Sequence, residues 1–245
     1  MDETAREVIA IMTGPDNNDS REFFDRLAPE YDAKRNRGFL SAAEDALRFY
    51  ARKFPSVGRH ALLEIGVGTG EAFAALAQMY DTAVAFDISP AMVQIAKNKS
   101  PVGGHFCVAS GESLPFASRS FDSVMCMDVL EHVNSPGAVL DEIARVLAPG
   151  GVAFLTTPNP LWAPIQWTAE KLRLKVPEGP HRYVRLPSLC RRQTNAWDGI
   201  RVLHTGFFVY APLGRLARPE TGWNFSRKPI LNQLGHNQLA VISRG

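Results

Sequence analysis

Leu62-Leu63-Glu64-Ile65-Gly66-Val67-Gly68-Thr69-Gly70 is the stretch on which the reading of the fold turns. An apolar run closes on a carboxylate, glycines follow at every second position, and a helix-like segment runs from Glu71 to Met79. This predicts a strand, a tight turn and a helix start. Glycines permit the sharp turn and let a ligand lie against the backbone amides. The dinucleotide fingerprint has the spacing Gly-x-Gly-x-x-Gly. Here Gly70 comes one position early, and Glu71 puts a carboxylate where a pyrophosphate would seek the positive helix terminus. A nicotinamide dinucleotide is therefore disfavoured, and a turn that binds nothing is the bland alternative.

The stretches downstream repeat the pattern of strand, acidic or polar end and helix. Ala83-Val84-Ala85-Phe86-Asp87 reads as a buried strand ending in a carboxylate. Asp87 lies 21 residues after Gly66 and can accept hydrogen bonds from a ribose diol. Ser89 and Pro90 fit the N-cap and first position of a following helix. Phe106 to Phe116 reads as a strand followed by Ser110-Gly111-Glu112-Ser113-Leu114-Pro115-Phe116, and Phe121 to Met127 as another strand, followed by Leu130-Glu131-His132. Glu142-Ile143-Ala144-Arg145-Val146-Leu147 is amphipathic; Pro149, Gly150 and Gly151 stop it, and a strand from Val152 to Thr157 follows.

Taken in order over residues 61–158, these motifs resemble those of the class I S-adenosylmethionine (AdoMet)-dependent methyltransferases, within them the small-molecule group like the ubiquinone and menaquinone biosynthesis enzymes. The resemblance implies an α/β fold: a Rossmann-like, doubly wound, mostly parallel seven-stranded sheet with helices on both faces and an antiparallel last strand. It also implies AdoMet as cofactor. Glu64 would lie near the ligand ammonium, Gly66, Gly68 and Gly70 against its amino-acid part, Asp87 with Ile88 at the ribose, and Met92 near the adenine. Ser110, Gly111, Glu112 and Met127 complete that implied set. Ser110 stands where the family has Asp, so a weaker adenine contact is expected, because a hydroxyl accepts without charge assistance. The segment Phe23 to Asp32 resembles the helical arm that precedes this fold, which puts Tyr31 near AdoMet as well. As packing readings, Met92 is core filler and Phe24 and Tyr31 belong to a surface helix pair.

At 245 residues with 45% apolar residues, the chain suits one α/β domain with additions. A formal net charge of +2 gives no global pull toward nucleic acid, and no nucleic-acid partner is expected. Cys107, Cys126 and Cys190 are far apart, without metal spacing, and read as buried small hydrophobes. No basic-then-apolar leader starts the chain and no apolar run matches a bilayer span, so a soluble cytoplasmic protein is expected, as monomer or homodimer.

Residues 1–57 are expected to form an N-terminal helical arm or lid, including a capping box at Ser41-Ala42-Ala43-Glu44; residues 58–245 form the AdoMet-binding domain. Prolines at 158, 160, 164, 177, 180 and 187 mark an insertion after strand five, 159–192, as an acceptor-site element. Lys171 to Arg192 holds seven Lys or Arg and one acidic residue, which reads either as a solvated face or as a wall for an anionic acceptor. Beyond it, Ile200–Leu203 and Phe207–Tyr210 read as strand-like, with a turn at Gly206-Phe207-Phe208, and Gln238–Ser243 as the last strand.

The expected reaction is methyl transfer to a small molecule, with oxygen favoured over nitrogen or carbon as acceptor. An oxygen acceptor must lose a proton, and His132 is the first candidate base, His181 the second. Asp128-x-x-Glu131-His132 resembles a stretch in ubiquinone-type O-methyltransferases where a divalent cation is implicated; adjacent side chains at 131 and 132 rarely reach one ion, and no metal site is assigned. The alternatives are a non-catalytic AdoMet-binding regulator and a protein or RNA methyltransferase. The intact glycines and Asp87 speak against the former.

Overall fold

The computed structural model describes residues 17–34, 59–100, 104–172, 179–194, 197, 199–208 and 237–245. The capping box at 41–44, the segment 209–236 and the basic stretch 173–178 lie outside the described residues. An arm comes first: α1 (Asn17–Leu27), a 3-10 turn (Ala28–Glu30) and α2 (Tyr31–Lys34). The domain follows as β1 (Ala61–Ile65), α3 (Glu71–Leu76), β2 (Thr82–Asp87), α4 (Pro90–Lys99), β3 (His105–Val108), β4 (Phe121–Met127), α5 (Pro136–Val146) and β5 (Leu147–Pro158). Then come α6 (Ala163–Lys171), α7 (Leu186–Thr194), β6 (Ile200–Phe208) and β7 (Asn237–Arg244).

The strands form one seven-stranded sheet in the order β3-β2-β1-β4-β5-β7-β6, parallel except for β7, which runs antiparallel to both β5 and β6. The strand order reverses between β1 and β4, and in such sheets ligands bind beyond the carboxyl ends of the strands at that point.

The near-continuous apolar strands follow from burial on both faces. Leu63 and Ile65, Val124 and Cys126, Ala153 and Leu155, and Ala240 and Ile242 face one core with Val139, Leu140 and Ile143 of α5. Their neighbours Leu62, Met125, Val152, Phe154, Leu239 and Val241 face the other, with Phe73 of α3 and Ala96 of α4. Cys126 and Cys190 are buried as expected, whereas Cys107, on the edge strand β3, is only half-buried. Burial pushes the Cys126 thiol well up and the Cys190 thiol to about 12, so both stay protonated.

Two expectations need correction. No turn interrupts the chain at Gly206: β6 runs unbroken from Ile200 to Phe208, because β7 pairs along its length and a bulge between Val202 and His204 absorbs the irregularity. And β5 begins at Leu147 rather than Val152; Leu147 pairs with Phe121, and steady register with β4 starts at Ser123↔Val152.

Ser89 and Ser135 do cap α4 and α5, with Pro90 and Pro136 at the first positions. Arg145 and Glu142 of α5 have a further task. Arg145 donates to the carbonyls of Phe116 (2.8 Å) and Leu114 (3.0 Å), while Glu142 accepts from Leu114 N (2.7 Å) and is paired to Arg145. The motif Leu114-Pro115-Phe116 is thus pinned by the motif Glu142 to Leu147.

Candidate active site

The glycine loop leaves β1 in left-handed conformations, with φ of 71° at Gly66, 53° at Gly68 and 81° at Gly70. Gly66 and Gly70 are closed in by protein and Gly68 is not; a Cβ on Gly66 would collide with the Val129 side chain. A Cβ on Gly70 would meet Ala96 Cβ at 2.8 Å, so the loop can pack on α4 only without a side chain. A Cβ on Gly68 would meet nothing within 4 Å: the loop faces open space there, a cradle for a ligand against its backbone.

Asp87 stands at the carboxyl end of β2, 8% exposed. Its Oδ2 accepts from Gly68 N (2.9 Å) and its Oδ1 from Ser89 N (2.9 Å). Burial raises its pKa; the backbone N–H groups of Ser89, Gly68 and Ile88 pull it back, and the charge of Asp25 raises it again. An ionised carboxylate has lone pairs beyond those two bonds, so this group can also take a diol.

The other implied cofactor residues divide. Glu64 is buried at the end of β1, and Ile88 and Met127 are half-buried at the ends of β2 and β4, at the same edge of the sheet. Ser110 folds back so that its Oγ accepts from Glu112 N (3.3 Å) in a tight turn with Ser113, and Gly111 packs on Ile65 and Val139. Met92 and Glu112 are both engaged by protein. Met92 is buried, 1% exposed. Glu112 accepts from Asn17 Nδ2 (2.6 Å) and from Ser135 N, which makes it an anchor for the arm.

The arm crosses this edge, with Tyr31 half-buried at the start of α2. Asp25 Oδ1 accepts from Ser89 Oγ (2.5 Å) and Ala91 N (3.2 Å), so the first turn of α4 is already satisfied by protein. Asp32 accepts from Thr69 Oγ1 (2.6 Å), inside the glycine loop, and is paired with Lys99. Ser20 Oγ donates to His132 O (2.7 Å), and Phe24 lies edge-on to the His132 ring. Sequence reasoning missed Asn17, Ser20, Asp25 and Asp32, because their partners lie 37 to 117 residues away.

His132 follows β4. Its N–H reaches Val129 O (2.9 Å), and its Nδ1 lies 2.9 Å from Pro180 O. A carbonyl can only accept, so Nδ1 carries the proton and Nε2 is the basic nitrogen. His181 is set the same way by Gly179 O (2.9 Å), and the two rings lie 6.2 Å apart. Both candidate bases therefore come together, one from the sheet and one from the insertion. Tyr183 extends the row, its ring 5.2 Å from His181 and its hydroxyl on Gln166 Oε1 (3.0 Å).

The described basic residues of the insertion do not converge. Arg182 N donates to Glu131 O (2.9 Å), and its guanidinium closes on the carbonyls of Val133 (3.2 Å) and Asn134. Lys171 lies over the Trp167 ring and Arg191 donates to Pro187 O. Arg185 and Arg192 are exposed. Arg182 thus clamps the loop that carries His132. Gln238 secures the same insertion to the sheet: it accepts from Leu186 N (3.1 Å) and donates to Pro158 O (2.9 Å) and Val184 O (2.6 Å).

Asp128 follows β4 with φ of 52°, and its Oδ1 accepts from Thr156 Oγ1 (2.9 Å) and Asn237 Nδ2 (3.1 Å). Buried Glu131 accepts from Thr157 Oγ1 (3.0 Å). These bonds turn Asp128 and Glu131 toward β5 and β7. Among the described residues no group of three or more His, Cys, Asp or Glu side chains is arranged to hold a metal.

Known proteins resemble this chain in sequence and fold. A family described as "Methyltransferase domain" matches residues 63–155. The ubiquinone biosynthesis O-methyltransferase of Xanthomonas axonopodis pv. citri is 32% identical over 178 residues, 69% of this chain and 73% of that protein. The enzyme of the same description from Xanthomonas oryzae pv. oryzae is 35% identical over 129 residues; there the chain spans about half (54%) of its relative's length. The N-methyltransferase NodS of Bradyrhizobium japonicum, solved with S-adenosylhomocysteine, shares the fold at 13% identity and a TM-score of 0.62, over 92% of this chain and 98% of that one. The chain belongs to the class I AdoMet-dependent methyltransferases. The fold expected from the motifs is the one observed, down to the antiparallel last strand.

Proposed function

We propose that this chain methylates a hydroxyl of a small molecule, with AdoMet as donor and His132 as the base. The observation that carries the reading is the fixed His132 imidazole, held as the Nδ1–H form on the same sheet edge as the open Gly68 cradle and Asp87. The names of the Xanthomonas relatives, O-methyltransferases of ubiquinone biosynthesis, support oxygen as the acceptor atom.

The fit of the donor rests on the chain's own groups. Within the Gly66–Gly70 loop, Gly68 offers unobstructed backbone, which suits the amino-acid part, with Glu64 buried at the end of β1. Asp87 and Ile88 suit the ribose; Ser110, Gly111 and Met127 border the adenine side, and Tyr31 closes from the arm. Bound there, AdoMet supplies a methyl group made electrophilic by a sulfonium leaving group. The protein's part is alignment and proton removal. His132 Nε2 would take the acceptor's hydroxyl proton, and Pro180 O would stabilise the resulting imidazolium through Nδ1–H. His181 stands as second base or as the group to which the proton passes. The arm, 1–57, and the insertion, 159–192, serve as acceptor-enclosing elements around the core of 58–245.

Calorimetry with AdoMet, followed by labelled methyl transfer to a panel of hydroxylated small molecules, tests the reading. The expected result is donor binding that Gly68→Val abolishes, because that side chain fills the cradle. Undiminished binding by Gly68→Val would overturn the assignment of the donor site.

A further inference from the structure

We propose that Asp25 of the arm is a positioning residue for Asp87, so that the arm completes the ribose-binding carboxylate instead of only covering it. The inference rests on the donor reading above and concerns a residue 62 positions upstream of the carboxylate it sets.

The link is a continuous chain of hydrogen bonds. Asp25 Oδ1 accepts from Ser89 Oγ at 2.5 Å; Ser89 N donates to Asp87 Oδ1 at 2.9 Å; Gly68 N holds Asp87 Oδ2 at 2.9 Å. Every donor of the α4 start is accounted for. Pro90 has no N–H, Ala91 N goes to Asp25 (3.2 Å), and Met92 N goes to Ser89 Oγ (3.1 Å). The Ser89 hydroxyl accepts from Met92, so its own proton must go to another acceptor, and Asp25 is the one it meets. Ser89 is fully buried, so water offers no substitute when Asp25 is removed.

A serine N-cap by itself needs no second carboxylate. Asp25 brings a like charge toward Asp87, and that charge works against the ionised form of Asp87. The arrangement therefore carries an electrostatic cost, and what it yields is a fixed Ser89 peptide and a fixed Asp87 rotamer. Arg21, 3.8 Å from Asp25 Oδ2 and half-exposed, offsets part of that cost. Preorganising a carboxylate matters most for a ligand group that must meet both oxygens, as a vicinal diol does.

The test is calorimetric titration of the full chain with S-adenosylhomocysteine and with its 2′-deoxyribose analogue. The wild-type chain should prefer the ribose ligand, and Asp87→Ala should erase that preference. Asp25→Ala should bind S-adenosylhomocysteine about tenfold more weakly, as expected for a lost buried hydrogen bond, and lose most of the preference. Its affinity for the deoxy analogue should stay nearly constant. Asp25→Asn should restore the preference, because the amide oxygen can still accept from Ser89 and Ala91. Should Asp25→Ala fail to fold, Ser89→Gly cuts the same link with a residue that N-cap positions tolerate, and it should lose the same preference. Full preference in Asp25→Ala, or equal weakening of both ligands, would overturn the inference. Full preference in Asp87→Ala would instead overturn the ribose assignment itself.

Discussion

Phe24 and His132 meet edge to face, their ring centroids 5.1 Å apart and their planes at 86°. The phenyl ring belongs to the arm and the imidazole to the loop after β4. The arm that fastens to the donor loop through Asp32–Thr69 therefore also supports the proposed base. Edge-to-face aromatic pairs contribute about 1 kcal/mol beyond their buried area. Phe24→Ala should lower kcat about tenfold, because a base displaced by a fraction of an ångström loses alignment with the acceptor. AdoMet affinity should change little. Steady-state kinetics with calorimetry separate the two; a loss confined to donor affinity would contradict this placement of Phe24.

Arg182 presents a choice between two readings with opposite kinetic signatures. As a wall for an anionic acceptor, its removal raises KM. As the side-chain clamp on Val133 and Asn134, its removal leaves two carbonyls short of a donor, costs about 1–3 kcal/mol of stability and lowers kcat. The geometry predicts the second pattern for Arg182→Ala. Charge reversal at exposed Arg185 should leave both constants near their starting values.

Donor binding should weaken on acidification earlier than an ordinary aspartate would cause. In the proposed site Asp87 meets both diol hydroxyls with both oxygens only when ionised, and burial raises its pKa above the usual value of about 4. The sign for stability is the reverse. Because the folded-state pKa lies above the unfolded one, the native state holds the proton more tightly, so this group contributes stability below its unfolded value that is lost as pH rises through the raised value. AdoMet titrations across mildly acidic pH should show the affinity loss in the wild-type chain, and Asp87→Asn should flatten it.

Glu142 and Arg145 have a structural prediction. Arg145 holds the Glu142 carboxyl below its ordinary range, so the pair contributes stability above the usual carboxylate pKa that disappears as pH falls through the lowered value. Arg145→Ala also frees the carbonyls of Leu114 and Phe116 and should cost about 2 kcal/mol. Thermal unfolding checks this at neutral pH, and the deficit should shrink in acid.

The fold was legible because its evidence is local. The glycine spacing, the carboxylates at strand ends and the Ser-Pro helix starts each declare themselves within a few residues, and their order gives the sheet. The places of Asp87 at the end of β2 and of His132 after β4 were legible for the same reason. Asp25, Asp32 and Arg182 were not, since what they do depends on backbone groups brought near only by folding. Met92 and Glu112 each match a motif position, and the burial of the one and the bonds of the other to Asn17 and Ser135 could not be read from that position. Gly206 looked like a turn only because the partner strand that straightens it, β7, comes 31 residues later, at Asn237.

In the proposed reaction His132 removes the acceptor's proton during AdoMet-dependent methyl transfer. Single-turnover transfer of labelled methyl to an accepted hydroxylated substrate, wild type against His132→Ala, measures it most directly. A rate about 10²–10⁴-fold lower in the variant, with AdoMet affinity unchanged, is the result predicted for a lost general base. Transfer by His132→Ala at the wild-type rate would contradict the account.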